Sequence, residues 1–202
     1  MAKILVIRFS AIGDVAMTVP VIYSVAEQYP QHEFVVLSQN FLQPLFEEAP
    51  GNVTFYGVKL ADYRGLKNLS KLYDELRILN VDYVVDLHNV LRSKYLRFRF
   101  ALSGTTVSSV KKGRMDKWRL VRRYFKVRKP LKSSFARYAG AFSALGFSSS
   151  LDFTSIYGNG KADLSPIEQV VGTKPEGMKW IGIAPFAKHK GKIYPLELQE
   201  QV

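Results

Sequence analysis

Three stretches of this 202-residue chain carry residues whose types and spacing suit chemistry on hydroxyl and phosphate groups. The first is Ser10-Ala11-Ile12-Gly13-Asp14, which follows the apolar run Ile4-Leu5-Val6-Ile7. A carboxylate at a helix start beyond the carboxyl end of a strand is placed to take a proton from a hydroxyl, as a general base does. The same position also suits a helix cap, because Asp accepts backbone N–H groups there and Gly13 permits the turn. The second stretch is Asp86-Leu87-His88-Asn89-Val90-Leu91-Arg92-Ser93. Asp86 and His88 read equally as strand-end structure and as site residues. Both polar strand ends belong on one edge of a parallel sheet, where they line one cleft. The third stretch, Lys188-His189-Lys190-Gly191-Lys192, sets three lysines around a glycine ahead of Tyr194-Pro195. Such a loop before a helix is suited to a pyrophosphate, and a merely solvated loop has the same composition.

The net charge of +12 is gathered in one segment. From Arg92 to Arg137 there are sixteen Lys/Arg and a single acid, Asp116, while the remainder of the chain is slightly acidic. Such a block predicts a polyanionic partner: nucleic acid, anionic lipid headgroups or a phosphorylated glycolipid. Tyr95, Phe98, Phe100, Trp118, Tyr124 and Phe125 are interleaved with the charges. Trp118 and Phe125 read as core-packing side chains, with membrane docking as the alternative.

Composition narrows the chemistry. With no cysteine there is no disulfide and no thiolate metal site, and His32, His88 and His189 alone are available for an all-nitrogen one, so no metal is expected. The Gly-x-Gly-x-x-Gly spacing is absent, which argues against ordinary dinucleotide binding. The N-terminus has no secretory pattern and no run reaches the roughly 18 apolar residues of a membrane span, so the expected location is the cytoplasm.

The elements that must position these residues alternate. Apolar runs at 33–38, 53–58, 82–87 and 105–110 read as strands beside the opening one. Helical patterns cover 14–29, 41–49, 66–79, 91–102, 116–125 and 133–145. This spacing predicts an α/β fold, a Rossmann-like parallel sheet flanked by helices, over 1–146. Residues 147–178 read as a linker or crossover. Residues 179–202 read as a strand (Lys179–Pro185), a loop and a helix start with Pro195 in its first turn. A unit that short cannot bury its own core, so the chain is expected to be a fragment with its second domain truncated.

Together the three stretches resemble the glycosyltransferase family 9 heptosyltransferases. The likeness rests on Arg8-Phe9-Ser10-x-Ile12-Gly13-Asp14-Val15-x-x-Thr18-x-Pro20, on Asp86 with Arg92-Ser93, and on Gly182-Ile183-Ala184-Pro185 followed by Lys192-x-Tyr194-Pro195. The resemblance implies the N-terminal half of a GT-B architecture, with acceptor bound mainly by the first domain and nucleotide sugar mainly by the second. It implies an inverting transfer of heptose from ADP-heptose to Kdo or heptose on a lipid A core glycolipid at the cytoplasmic face of an anionic inner membrane. In that scheme Asp14 is the general base. Ser10, Gly13, Asp86, His88 and Arg92 lie on the acceptor side, and Lys188 and Lys192 on the donor phosphates. No cofactor is implied. Arg97, Arg99, Lys111, Lys112, Arg114 and Lys117 are further candidates for contacting the acceptor. His88-Asn89 and Phe186 depart from the family pattern. The 202 residues alone are expected to have little or no transferase activity. A non-catalytic binding module for an anionic glycolipid or membrane surface is the alternative, and a nucleic-acid-binding module a weaker one, since no recognised nucleic-acid motif appears.

Overall fold

The computed structural model describes residues 1–157, 163–187 and 189–201. They fall into two compact units, Met1–Gly160 and Lys161–Val202. The division lies beyond the expected boundary at Gly146 because residues after it pack on the first unit. Phe147 is buried in its core, Phe153 and Ile156 rest against that core, and Ser24 donates to the Asp152 carbonyl at 2.8 Å.

In the first unit five strands, β1 (Lys3–Ile7), β2 (Glu33–Gln39), β3 (Val53–Val58), β4 (Tyr83–Asp86) and β5 (Thr106–Ser109), pair in parallel in the order β3-β2-β1-β4-β5. The inner runs Ile4–Ile7, Phe34–Leu37 and Val84–Val85 are apolar because both sheet faces are covered there, whereas the edge strands β3 and β5 are more exposed and carry Thr54, Thr106, Ser108 and Ser109. Alternate residues of β1 divide between two cores. Ile4 and Val6 face the side with Val15, Ile22 and Phe142, and Leu5 and Ile7 face the side with Leu72, Leu76, Leu96 and Phe100. Helices α1 (Ile12–Ala16), α2 (Val19–Gln28) and α6 (Ser134–Ser143) supply the first side; α3 (Gly65–Arg77) and α4 (Leu91–Leu102) supply the second. Between α4 and α6 stands α5 (Arg114–Val121).

Several expected elements take other bounds. The single helix over 14–29 is two, because the chain tightens at Thr18, whose hydroxyl donates to the Val15 carbonyl at 2.6 Å, and Pro20 stands in the first turn of the second helix, where no N–H is needed. The helix expected at 41–49 is a 3-10 helix, Asn40–Phe46, with Pro44 inside it. The helix at 116–125 begins earlier and stops at Val121. Ser133 caps α6, accepting from the Ala136 N–H at 3.1 Å, and Gly146 follows with a φ of 91°, as a helix stop requires.

The second unit corrects two expectations. Residues 179–185 do not form a strand: among the described residues they have no paired neighbour, and Ile181 and Ile183 stand exposed instead of facing a core. A parallel strand has no ladder without a partner. The presumed linker holds α7 (Ser165–Val171), and α8 (Leu196–Gln199) has Pro195 as its cap rather than in its first turn. No helix among the described residues is long and apolar enough to cross a membrane.

Candidate active site

The sheet order places β1 between β2 and β4, so the chain leaves β1 and β4 at the point where strand order reverses. Ligands of open α/β sheets bind in the crevice there, beyond the carboxyl ends. The β1–α1 and β4–α4 loops meet at this crest, and they carry the first two predicted stretches.

Beyond β1 the backbone is kept extended by its neighbours. The Arg8 N–H donates to the Leu37 carbonyl at 3.1 Å, and the Leu87 N–H donates to the Ile7 carbonyl at 3.1 Å. The Ser38 hydroxyl donates to the Arg8 carbonyl at 2.6 Å, and Gln39 Nε2 to the Phe9 carbonyl at 2.8 Å. Arg8 therefore turns its side chain under the crest, where it is 7% exposed. Its Nη1 donates to the Leu87 carbonyl at 2.6 Å, and its Nη2 holds Asp14 Oδ2 at 2.8 Å. The guanidinium also stands 5.8 Å from the Tyr138 ring. Burial raises the Tyr138 pKa, and the Arg8 charge works against that shift.

Asp14 is the third residue of α1 and not its cap, which is Ala11. Its Oδ2 also accepts the Ala11 N–H at 3.4 Å, a weak reciprocal contact. The side chain is 53% exposed, and among the described residues Oδ1 has no hydrogen-bond partner. One oxygen thus fixes the half-exposed carboxylate and the other is left without a partner among the described residues. Gly13, beside it, is exposed and has nothing within 4 Å of where a Cβ would stand, so the fold places no steric demand for glycine there.

The β4–α4 loop is pinned from beneath by Asp86, which is fully buried. Asp86 Oδ1 accepts the His88 and Asn89 N–H groups at 2.9 and 2.7 Å, and Oδ2 accepts Arg97 Nη1 at 3.1 Å. Both oxygens are spent within the protein, so Asp86 shapes the loop and does not reach an acceptor, unlike the direct contact expected of it. Asn89 turns the chain with a φ of 50° and donates to the Val110 carbonyl at 2.9 Å.

His88 leans edge-on against buried Phe9, ring centroids 6.0 Å apart, and its Nε2 lies 3.4 Å from the Ser10 hydroxyl. The His88 pKa is lowered to about 4, first by burial and then by the charges of Arg8, Lys112 and Arg92. The ring is therefore neutral at pH 7, with one nitrogen a donor and the other an acceptor. Lys112 is lowered too, chiefly by burial and then by Arg114 and Arg8. Among the described residues, the buried side-chain polar atoms without a partner are Arg8 Nε, His88 Nδ1 and Asn89 Oδ1, all on this crest.

The structure thus brings Ser10, Gly13, Asp14, His88 and Arg92 to one edge. Arg97 is committed to Asp86 beneath the crest loop, and Arg99 to Ser70, Tyr95 and the Tyr73 ring 4.3 Å away. Lys192 belongs to the second unit, where it lines a 400 Å³ cavity with Ile183, Pro185, Phe186, Tyr194 and Gln199. Lys188 lies outside the described residues. Arg8 and Asn89 are the crest residues that sequence reasoning did not single out. The available signal was an arginine directly at the end of a buried-strand run, followed by Phe9 rather than by a turn residue.

No protein-family model matches the sequence, and a search of curated proteins finds no match. Solved structures do match in fold. A glycosyl transferase family 9 structure from Veillonella parvula aligns with a TM-score of 0.68 at 17% identity, covering 99% of this chain and 58% of that one. The E. coli heptosyltransferase WaaC with ADP aligns with a TM-score of 0.62 at 16% identity, covering 96% of this chain and 61% of that one. The same enzyme with ADP-2-deoxy-2-fluoro heptose aligns equally well. The chain thus spans about 60% of the length of these structures. At such identities the likeness is one of fold. The five-stranded parallel sheet with its flanking helices is the α/β fold found in GT-B glycosyltransferases, as the resemblance implied.

Proposed function

We propose that this chain is the acceptor-binding part of an inverting glycosyltransferase, with Asp14 as the general base. One observation carries the reading: a buried arginine holds a half-exposed carboxylate by a single oxygen at the sheet's switch point. In the reaction, Asp14 Oδ1 takes the proton of an acceptor hydroxyl as that oxygen bonds to the anomeric carbon of the donor sugar. The bond from that carbon to the donor phosphate breaks on the opposite face, the configuration inverts, and the nucleoside diphosphate leaves with the electron pair. Arg8 keeps the carboxylate in one orientation. Ser10 and neutral His88 meet sugar hydroxyls, the open surface at Gly13 lets the acceptor approach, Arg92 meets an acceptor carboxylate or phosphate, and Asp86 holds the loop beneath them. Lys192, with Lys188, serves the donor phosphates, where fixed positive charge stabilises the leaving group.

The fold neighbours with ADP and with ADP-2-deoxy-2-fluoro heptose support ADP-heptose as donor, and the sequence resemblance implies a Kdo-bearing or heptose-bearing lipid A core as acceptor. Two measurements test this. A soluble core oligosaccharide bearing Kdo binds the wild-type chain and Asp14→Asn alike in titration NMR, and binds His88→Ala or Arg92→Ala more weakly; no binding removes the acceptor site. In a mass-spectrometric transfer assay with ADP-heptose, Asp14→Asn lowers whatever turnover the wild type has by about 100-fold or more. Undiminished turnover in that variant overturns the base.

A further inference from the structure

Residues 114–129 form a surface that neither the core nor the crest uses. No side chain of α5 is buried, contrary to the core-packing expectation for Trp118. Past the helix end the chain folds back on it: the Arg122 Nε donates to the Phe125 carbonyl at 2.6 Å, and the Val127 N–H donates to the Arg119 carbonyl at 3.0 Å. Met115, Trp118, Val121, Tyr124 and Phe125 are each more than half exposed. Phe125 has a φ of 53°, a left-handed conformation that bulky side chains rarely adopt, and still presents its ring 87% to solvent. Neither packing nor backbone preference accounts for a phenylalanine there. Eight Lys/Arg share these sixteen residues with one acid, Asp116.

The charge calls for an anionic partner, and the apolar groups decide which kind. A platform for nucleic-acid bases presents open aromatic faces. Here the Arg122 guanidinium lies 5.2 Å from the Trp118 ring centre and that of Arg123 5.3 Å from the Tyr124 ring centre, covering one face of each. Met115 and Val121 add aliphatic surface for which a phosphodiester has no use. Aromatic rings with an amphipathic edge, aliphatic neighbours and arginines whose stems lie along them are the composition of a headgroup-level anchor.

We propose that residues 114–129 dock the protein on an anionic bilayer, with Trp118 and Phe125 entering the boundary between headgroups and acyl chains and the arginines pairing with lipid phosphates. The docking needs neither donor nor acceptor sugar, so it stands or falls separately from the transferase reading.

The test uses the chain with Trp180→Phe, which leaves Trp118 as the sole tryptophan. It is mixed with vesicles of phosphatidylcholine alone and of phosphatidylcholine with phosphatidylglycerol. The expected result is sedimentation with the anionic vesicles only, weakened by salt, with a blue shift of Trp118 emission and its quenching by brominated acyl chains. Replacing Arg122 and Arg123 by alanine lowers partitioning about tenfold or more, and Phe125→Ser lowers it about tenfold. Equal partitioning on neutral vesicles overturns the proposal, as does sedimentation that leaves Trp118 emission unmoved. So does binding to a single-stranded oligonucleotide tighter than to any vesicle, or self-association without lipid that buries Trp118.

Discussion

The crest at the switch point and the lobe over 114–129 use the same residue types in opposite ways. At the crest, Arg8 is desolvated and both Nη atoms are committed, one to the Leu87 carbonyl and one to Asp14. In the lobe, Arg123 is exposed and leans on the Tyr124 ring, and Arg122 lies over Trp118 with no acid to hold it among the described residues. Taking a guanidinium out of water costs several kcal/mol unless charge and hydrogen bonds compensate it. A fold that bears this cost obtains one fixed geometry, which the general-base role proposed for Asp14 needs. A surface that avoids the cost keeps its charges adaptable, which suits a partner without fixed geometry, such as a lipid headgroup layer.

Three measurements bear on this contrast. The largest effect is expected from Asp86→Ala, which strips the His88 and Asn89 N–H groups and Arg97 of their shared acceptor. Urea unfolding should show a loss of about 3–5 kcal/mol, and a loss under about 1 kcal/mol would mean that the crest loop is held by something else. A smaller effect is expected from pH. The His88 pKa is about 4 in the folded chain against an ordinary 6.5, so between these values the unfolded chain binds a proton that the folded one refuses. Its contribution is complete above about pH 6.5 and is lost as pH falls towards 4. With allowance for a ring that is only part-buried, the fall is about 1–2 kcal/mol. His88→Gln should flatten that part of the stability profile, and an unchanged slope would show that another group is responsible. The smallest effect is expected in the lobe, where Trp118→Ser with Phe125→Ser should move the unfolding midpoint by no more than about 0.5 kcal/mol. A larger loss would show that the lobe is packed after all.

Much of the frame was legible in the sequence because short apolar runs without alternation suit strands covered on both faces. Ile4–Ile7, Phe34–Leu37 and Val84–Leu87 all became buried. The polar strand ends that close two of these runs marked the crest. What could not be read was which polar group would go inside. Arg8 meets Leu87, 79 residues away, and no local pattern announces that pairing. Asp86 was legible as a strand end, but its burial under its own loop depends on Arg97 a full helix start later. In the lobe the error ran the other way. Trp118 and Phe125 read as core because large aromatic side chains usually find one, whereas the helix that carries Trp118 has no covered side. In the second unit, Lys179–Pro185 has strand composition without a neighbour, and composition alone makes no ladder.

The position of β1 in the sheet also sets an order of events during synthesis. It leaves the ribosome before the other four strands of the sheet, yet its register with β4 joins Ile4–Ile7 to Tyr83–Asp86. At ~5–20 residues per second, several seconds separate the two strands. Through that interval one hydrogen-bonding edge of β1 stays open. The two loops of the crest therefore come together only when β4 has been made and has closed that edge.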